Sequence, residues 1–355
     1  TDRITIKAYD GEKVVLDGRE LITGWQRCSS REDIFGNRNY EDIYYTKISS
    51  KTLSSIHQLT LFEGDYFLQV ARDPDQSDPT TEDVMEYRPL REESFGLYDG
   101  IIDSKFLTQP NGFWNGCHIF IWSHAYNNAI VKFKVADFIS NQNKIILDEP
   151  MKHPISKGSN PDGYCLVNHP LVLDRSGEFY LNETPDKDGN LTLYLWPYDA
   201  SNINSNIYRV AEGTHRYGGS IGFFIYGGGS YVTIDGFEIR NFGQGAGTRE
   251  GGIVCPHGLN HKSLIVRNCI IYDVNGGGIV LSSADNNTIE NNTVYNVLNG
   301  RGIFLAGGSN HTIRNNFVRN TQSTNICCFG VKDSKIIYNT ATLNGNHGNL
   351  SLIHI

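Results

Sequence analysis

Three separate residue series in the second half of the chain share one period. Asn268, Asn291, Asn315 and Asn339 recur at intervals of 23, 24 and 24. Asn241, Asp273, Asn296, Asn320 and Asn344 recur at 32, 23, 24 and 24, and Ile253, Ile279, Ile303, Ile326 and Leu350 at 26, 24, 23 and 24. Independent positions repeating about every 24 residues mean that each repeat is one unit stacked on the last. Within one unit, apolar Ile289, Val294 and Val297 alternate with polar residues and are broken by asparagines. Asn tolerates left-handed backbone and bonds its own chain, so it suits a corner. Residues 302–305 supply a third strand, and Gly307-Gly308 turns into the next unit. The pattern predicts an all-β parallel β-helix with rungs of three short strands. Equivalent residues then lie roughly 4.8 Å apart, close enough for ladders of stacked amides. A leucine-rich repeat would need Leu-x-x-Leu-x-Leu, which is absent, and the density of Gly and Asn excludes helical solenoids.

The segment Val14-Val15-Leu16-Asp17-Gly18-Arg19-Glu20-Leu21 returns as Val232-Thr233-Ile234-Asp235-Gly236-Phe237-Glu238-Ile239. Each reads as apolar strand, Asp-Gly turn, strand. Residues 1–25 are therefore expected to be the first rung or rungs and 216–355 the later ones, with 26–215 an inserted, mostly β subdomain. That middle segment lacks the period, carries Trp114, Trp122 and Trp196, and shows alternating strands at 129–135, 144–147, 177–181 and 191–196. With 37 Gly, 19 Tyr, 17 Phe and 2 Met, composition suits an all-β chain. A formal net charge of -8 excludes a nucleic-acid partner, whose backbone needs a basic footprint. No apolar run approaches the ~18 residues of a membrane span. The chain opens inside a strand pattern and stops at Leu350-Ser351-Leu352 without a cap, so it reads as a fragment. Seven cysteines show no metal-ligand spacing, and Cys255 and Cys328 follow Ile253 and Ile326 by two, as inward-facing apolar residues would.

Ile4-Thr5-Ile6-Lys7-Ala8 followed by Glu12-Lys13-Val14-Val15-Leu16-Asp17-Gly18 resembles the opening rungs of secreted bacterial β-helix proteins related to the pectate-lyase-like superfamily. Leu61-Phe62-Glu63-Gly64-Asp65, Ala71-Arg72-Asp73-Pro74, Gly177-Glu178-Phe179-Tyr180-Leu181 and Leu193-Tyr194-Leu195-Trp196-Pro197 resemble the inserted β-domain of a carbohydrate-active subset. The resemblance implies a right-handed coil, a secreted, periplasmic or cell-surface location, a monomer, and a polysaccharide or oligosaccharide substrate. Glycoside hydrolysis is the first expectation. A polysaccharide lyase acting on uronates and a non-catalytic glycan-binding or adhesin module are the alternatives, because one fold hosts many chemistries.

Candidate site residues follow from the one irregular step. Between Asn241 and Asp273 the period stretches to 32, placing extra residues in loops 242–252 and 256–262. Long loops on a regular scaffold are where function sits, and these carry Arg249, Glu250, His257 and His261. Gly251, Gly277 and Arg301 hold equivalent positions, with the glycines leaving room for the Arg301 guanidinium. Glu250, His257, Arg301 and Asp273 are thus the catalytic candidates, since hydrolysis needs paired carboxylates and elimination a base beside a cation. Arg249 and His261, with Trp114 and Trp122 in the middle segment, are the substrate-binding candidates. No metal or cofactor is expected; Ca²⁺ enters only with the lyase reading. Asp73-Pro74-Asp75-Gln76-Ser77-Asp78 has loosely calcium-like spacing but lacks the glycine turn and terminal glutamate of a calcium loop, and reads as a solvated loop.

Overall fold

The computed structural model describes residues 2–48, 53, 55–80, 83–123, 125, 129–155, 162–211, 220–226, 229–243, 250–256 and 261–342, leaving aside the side chains of Gln58 and Ala129. Its second half winds through three parallel sheets. The first sheet stacks Ile4–Lys7, Val232–Asp235, Ile265–Arg267, Thr288–Glu290, Thr312–Arg314 and Lys335–Ile337. A second stacks Val14–Asp17, Phe237–Arg240, Ile270–Asn275, Thr293–Leu298, Phe317–Thr321 and Thr340–Ala341, and a third runs from Ile221–Phe224 through Gly251–Cys255, Gly277–Ser282 and Ile303–Ala306 to Ile326–Phe329. Alternation along each short strand sends one column of aliphatic side chains inward. Ile253, Ile279, Ile303 and Ile326 lie in direct register. With Ile234, Val266, Ile289 and Ile313, and with Ile239, Ile271, Val294 and Val318, they fill a continuous core that also takes Cys255 and Cys328. Each such side chain contributes about 1.5–3 kcal/mol on burial.

Asparagine acts in this coil in two distinct ways. At the corner between the first and second sheets, Asn268, Asn291 and Asn315 have φ of 55°, 56° and 55°, a left-handed conformation that only Gly and Asn adopt cheaply. One residue later the side chain turns inward. Asn292 Nδ2 donates to Val266 O and to Asn316 Oδ1, both at 3.0 Å, while its own Oδ1 accepts from Cys269 N at 3.0 Å. Asn316 repeats the arrangement with Ile289 O at 3.0 Å and Asn339 Oδ1 at 2.9 Å. Asn339 therefore continues the buried ladder rather than the corner series to which its spacing had assigned it. The corner position in that rung is Tyr338, at φ 57°. In the second series, Asn241, Asp273, Asn296 and Asn320 are all left-handed and bend the second sheet in mid-strand; Asn344 and Leu350 lie outside the described residues.

The two Asp-Gly segments are not equivalent as their sequences suggested. Ile4–Lys7 pairs with Val232–Asp235, and Val14–Asp17 pairs with Phe237–Arg240. Asp17 is thus level with Arg240, one sheet further round than Asp235. After Asp17 the chain leaves the coil through Arg19–Leu21, which pairs antiparallel with Ile207–Val210. Between those strands it builds antiparallel sheets that include Ala129–Ile139, Lys144–Leu147, Glu178–Asn182 and Leu191–Trp196. They bury more than one cluster, one centred on Trp114, Ile119, Phe138 and Tyr164 and another on Leu61, Phe179, Leu181, Leu193 and Leu195.

Asn292→Ala strands the Cys269 amide in a dry interior and removes the donor to Val266 O, while Asn316 Oδ1 keeps the backbone N–H of residue 292, and should lower unfolding free energy by about 1–3 kcal/mol. Asn291→Gly, one residue away, should change it by less than about 1 kcal/mol, because glycine accepts the same backbone. Urea unfolding of both variants checks the contrast.

Candidate functional site

Of the residues singled out by the long rung, the two that are described, Glu250 and His261, do not converge. Glu250 is 1% exposed and its carbonyl accepts Gly277 N–H at 2.8 Å as the chain enters the third sheet. His261 is wholly buried at the other end of the strand Gly251–Cys255, roughly 17 Å away by strand rise. Its Nδ1 lies 2.8 Å from Gly229 O, so that nitrogen donates and the ring is structural. Arg301 does align with Gly251 and Gly277. The glycines, however, serve the backbone: a Cβ on Gly251, at φ 120°, would meet Gly277 O at 2.0 Å. The Arg301 guanidinium instead lies 4.4 Å over the Phe304 ring of its own strand. Trp114 and Trp122 are 1% and 5% exposed, packed in two cores of the middle segment, so neither offers a face to a sugar. Arg249 and His257 lie outside the described residues.

Asp273 is different, because it belongs to the outward side of the second sheet. There, in-register pairing builds a column from Asp17, Arg240, Tyr272, Tyr295 and Arg319. Arg240 Nε donates to Asp17 Oδ2 at 3.0 Å and its Nη1 to Tyr272 Oη at 3.1 Å. Tyr272 and Tyr295 stack with centroids 4.9 Å apart and planes 3° from parallel, and Arg319 lies 4.9 Å over Tyr295. Tyr272 Oη donates to Glu238 Oε1 at 2.7 Å, and Lys13 Nζ reaches Glu238 Oε2 at 2.6 Å. From the middle segment, the turn between Leu61–Glu63 and Tyr66–Phe67 brings in Asp65, whose carboxylate is 3.2 Å from Arg19 Nη1 and 3.7 Å from Arg240 Nη1.

The acids on this face titrate apart. Burial pushes the Asp273 carboxyl up to about 6; the amide of Asn296, donating at 2.8 Å, works against that and the charge of Asp65 adds to it. Burial also works to raise Asp17, but hydrogen bonds from Arg19 and Asn241 outweigh it and hold the carboxyl below its usual value. Glu238 likewise ends low, burial being outweighed by Lys13 and Tyr272. One face therefore holds a carboxyl that is protonated near pH 6 beside carboxylates that stay ionised, the pattern that separates acid from base. By contrast, the cleft lined by His57, Arg72, Phe120, Lys132, Asn275 and Asn299 has no carboxylate among its described lining residues. Among the described residues, carboxylates converging at cation-binding distance occur at Asp75, Asp174 and Glu178.

Among the described residues expected at the site, then, Asp273 alone stands on a chemically equipped surface. Arg240, Tyr272, Tyr295 and Arg319 were missed, although they precede the Asn241 series by one at every step and a reading of that outward position would have found them. Nothing periodic marks Asp65.

Residues 251–351 match the family model described as "Right handed beta helix region". The match falls on the part of the chain whose described strands stack in parallel. Two solved structures are similar in overall form. One, named "Glycoside hydrolase", is 9% identical, with 98% of this chain and 85% of that chain covered and a TM-score of 0.49. The other, named "The complex structure of XylC with xylose", is 12% identical, with 96% of this chain and 55% of that chain covered and a TM-score of 0.38. The search of curated proteins returned no match. Among the described residues, no helix is long and apolar enough to cross a membrane.

The folded pKa of Asp273 lies above the ordinary 3.8. Its contribution to stability is therefore complete below about pH 4 and is lost as pH rises through about 6. Asp273→Asn, which installs the amide found one turn away at Asn241 and Asn296, should match the parent at about pH 4 and exceed it above about pH 7 by on the order of 1–3 kcal/mol. Thermal unfolding at the two pH values tests this.

Proposed function

We propose that the protein acts on a polysaccharide and cleaves it as a glycoside hydrolase, on the outward face of the second sheet. In this reading Asp273 is the general acid that protonates the leaving oxygen, and Asp65 is the second carboxylate. The observation that carries it is electrostatic: a carboxyl titrating at about 6 stands close enough to Asp65 to be raised by its charge, on a face that also presents stacked tyrosines. Hydrolysis of a glycosidic bond needs two carboxyl groups in different protonation states across the scissile bond. Tyr272 and Tyr295 are half-buried, and their exposed edges and hydroxyls line the same column, as an extended sugar chain would require. Arg240 and Arg19 hold Asp65 and supply donors to sugar hydroxyls. We further propose that the chain works outside the cell as a coil of three-strand rungs whose 26–215 segment is an inserted β-rich subdomain, the insertion forming one wall of the groove.

Release of reducing ends from a panel of plant-type oligosaccharides should be detectable and should depend on both acids. Asp273→Asn should lower kcat about 10²–10⁴-fold with sugar affinity retained, as loss of a general acid does. The parent's kcat/KM should fall as pH rises through about 6, since the acid must be protonated to act. New ultraviolet absorbance from an unsaturated uronate would instead assign elimination. Glycan binding without either product would assign a binding module.

A further inference from the structure

The middle segment holds a second cluster that the proposed reaction does not use. Glu178 opens the strand Glu178–Asn182 with its side chain 0% exposed. Its Oε1 accepts no hydrogen bond; the nearest cation, Arg175 Nε, stands 3.5 Å away. Oε2 takes one bond, from Asp174 N at 3.2 Å. A wholly buried carboxylate oxygen without a donor is a costly arrangement that calls for a partner. Asp75 and Asp174, both exposed, place carboxylate oxygens so that one ligand atom from each of the three acids lies within 4.8 Å of the others.

Charge makes the same point. Arg175 serves the whole group, its Nε 3.6 Å from Asp75 and 3.5 Å from Glu178, while its Nη2 is committed to Gln69 Oε1 and, at 2.8 Å, to Gln76 O. Arg38 adds a second positive charge near Asp174, and three acids still outnumber two guanidiniums.

We propose that Asp75, Asp174 and Glu178 bind a Ca²⁺ ion. Three carboxylates with no imidazole or thiolate select a hard cation over zinc or copper. Two of the three come from exposed turns and can adjust, which suits the variable coordination of Ca²⁺ better than the rigid octahedron of Mg²⁺. Water completes the shell on the open side. Bound there, the ion ties the loop after Arg72–Asp73 to the turn that precedes Glu178–Asn182. The site shares no residue with the proposed sugar-cleaving face, so it stands whatever the reaction proves to be.

The test uses the full chain after exhaustive chelation. Titration calorimetry with CaCl₂ should show one Ca²⁺ per chain, and the thermal midpoint should rise with Ca²⁺ concentration, because a ligand of the folded state stabilises it. The double variant Asp75→Asn/Asp174→Asn alters exposed side chains only. It should keep the parent's midpoint in chelator while losing both the binding heat and the Ca²⁺-dependent shift. Absence of saturable binding at millimolar Ca²⁺ overturns the proposal, as does binding that survives unchanged in the double variant. Displacement of Ca²⁺ by an equal concentration of Mg²⁺ overturns the choice of ion.

Discussion

Parallel pairing in exact vertical register is the constraint from which the rest of this molecule follows. Once strands about 24 residues apart stack at roughly 4.8 Å, every side chain has a near-identical neighbour above and below it. The inward columns can then only be aliphatic, and a polar group at an inner position must bond to its own copy in the next turn. Asn292 and Asn316 meet that demand because an amide is donor and acceptor at once, so one residue type tiles without end. A carboxylate in the same column would stack charge on charge and accept without donating.

The same logic makes Asp273 informative. Its position is left-handed in every turn, and the neighbours one turn away on either side are Asn241 and Asn296. An aspartate there receives a bond from Asn296 but cannot return one while ionised, and burial raises its pKa. Structural logic would choose Asn at that site. Where local fitness and the observed residue disagree, function is the natural reason. On the outward face the stacking rule acts differently: Tyr272 and Tyr295 pack face to face, and arginines flank the pair on either side, Arg240 bonded to one ring's hydroxyl and Arg319 over the other ring. Opposite charges and π-faces stack where like charges would not.

How much was legible follows from which contacts are periodic. The Ile253 series and the Asn241 series hold in register because pairing preserves sequence spacing turn after turn. Asn339 slipped by one because a turn of 23 rather than 24 residues is invisible when two asparagines lie side by side, as at Asn315-Asn316. The Asp-Gly comparison failed for a related reason: a two-residue turn between strands occurs at more than one corner, and only pairing tells the corners apart. Glu250 and His261 looked functional because their loops break the period, yet the residues bounding those loops are where the chain re-enters the core. The antiparallel pairings of the middle segment join residues far apart with no repeat to announce them, so the burial of Trp114 and Trp122 and the arrival of Asp65 beside the coil could not be read from the sequence.

That arrival rests on one side chain. Arg19, at the point where the chain leaves the coil, lies 5.6 Å from the Phe62 ring and 4.9 Å from the Tyr208 ring, and its side chain is only 10% exposed. Held by two aromatic faces, its guanidinium bonds Asp17 in the coil at 2.7 Å, the Gly64 carbonyl, and Asp65 at 3.2 Å. Cation–π contacts of this kind are worth about 0.5–2 kcal/mol each and lose little to salt when partly desolvated. Arg19 therefore does what neither the repeat nor the antiparallel sheets can do alone. It fixes Asp65 from one part of the chain against Asp17 in the other, and so holds in place the charge that adds to what burial does at Asp273, while its own charge works the other way.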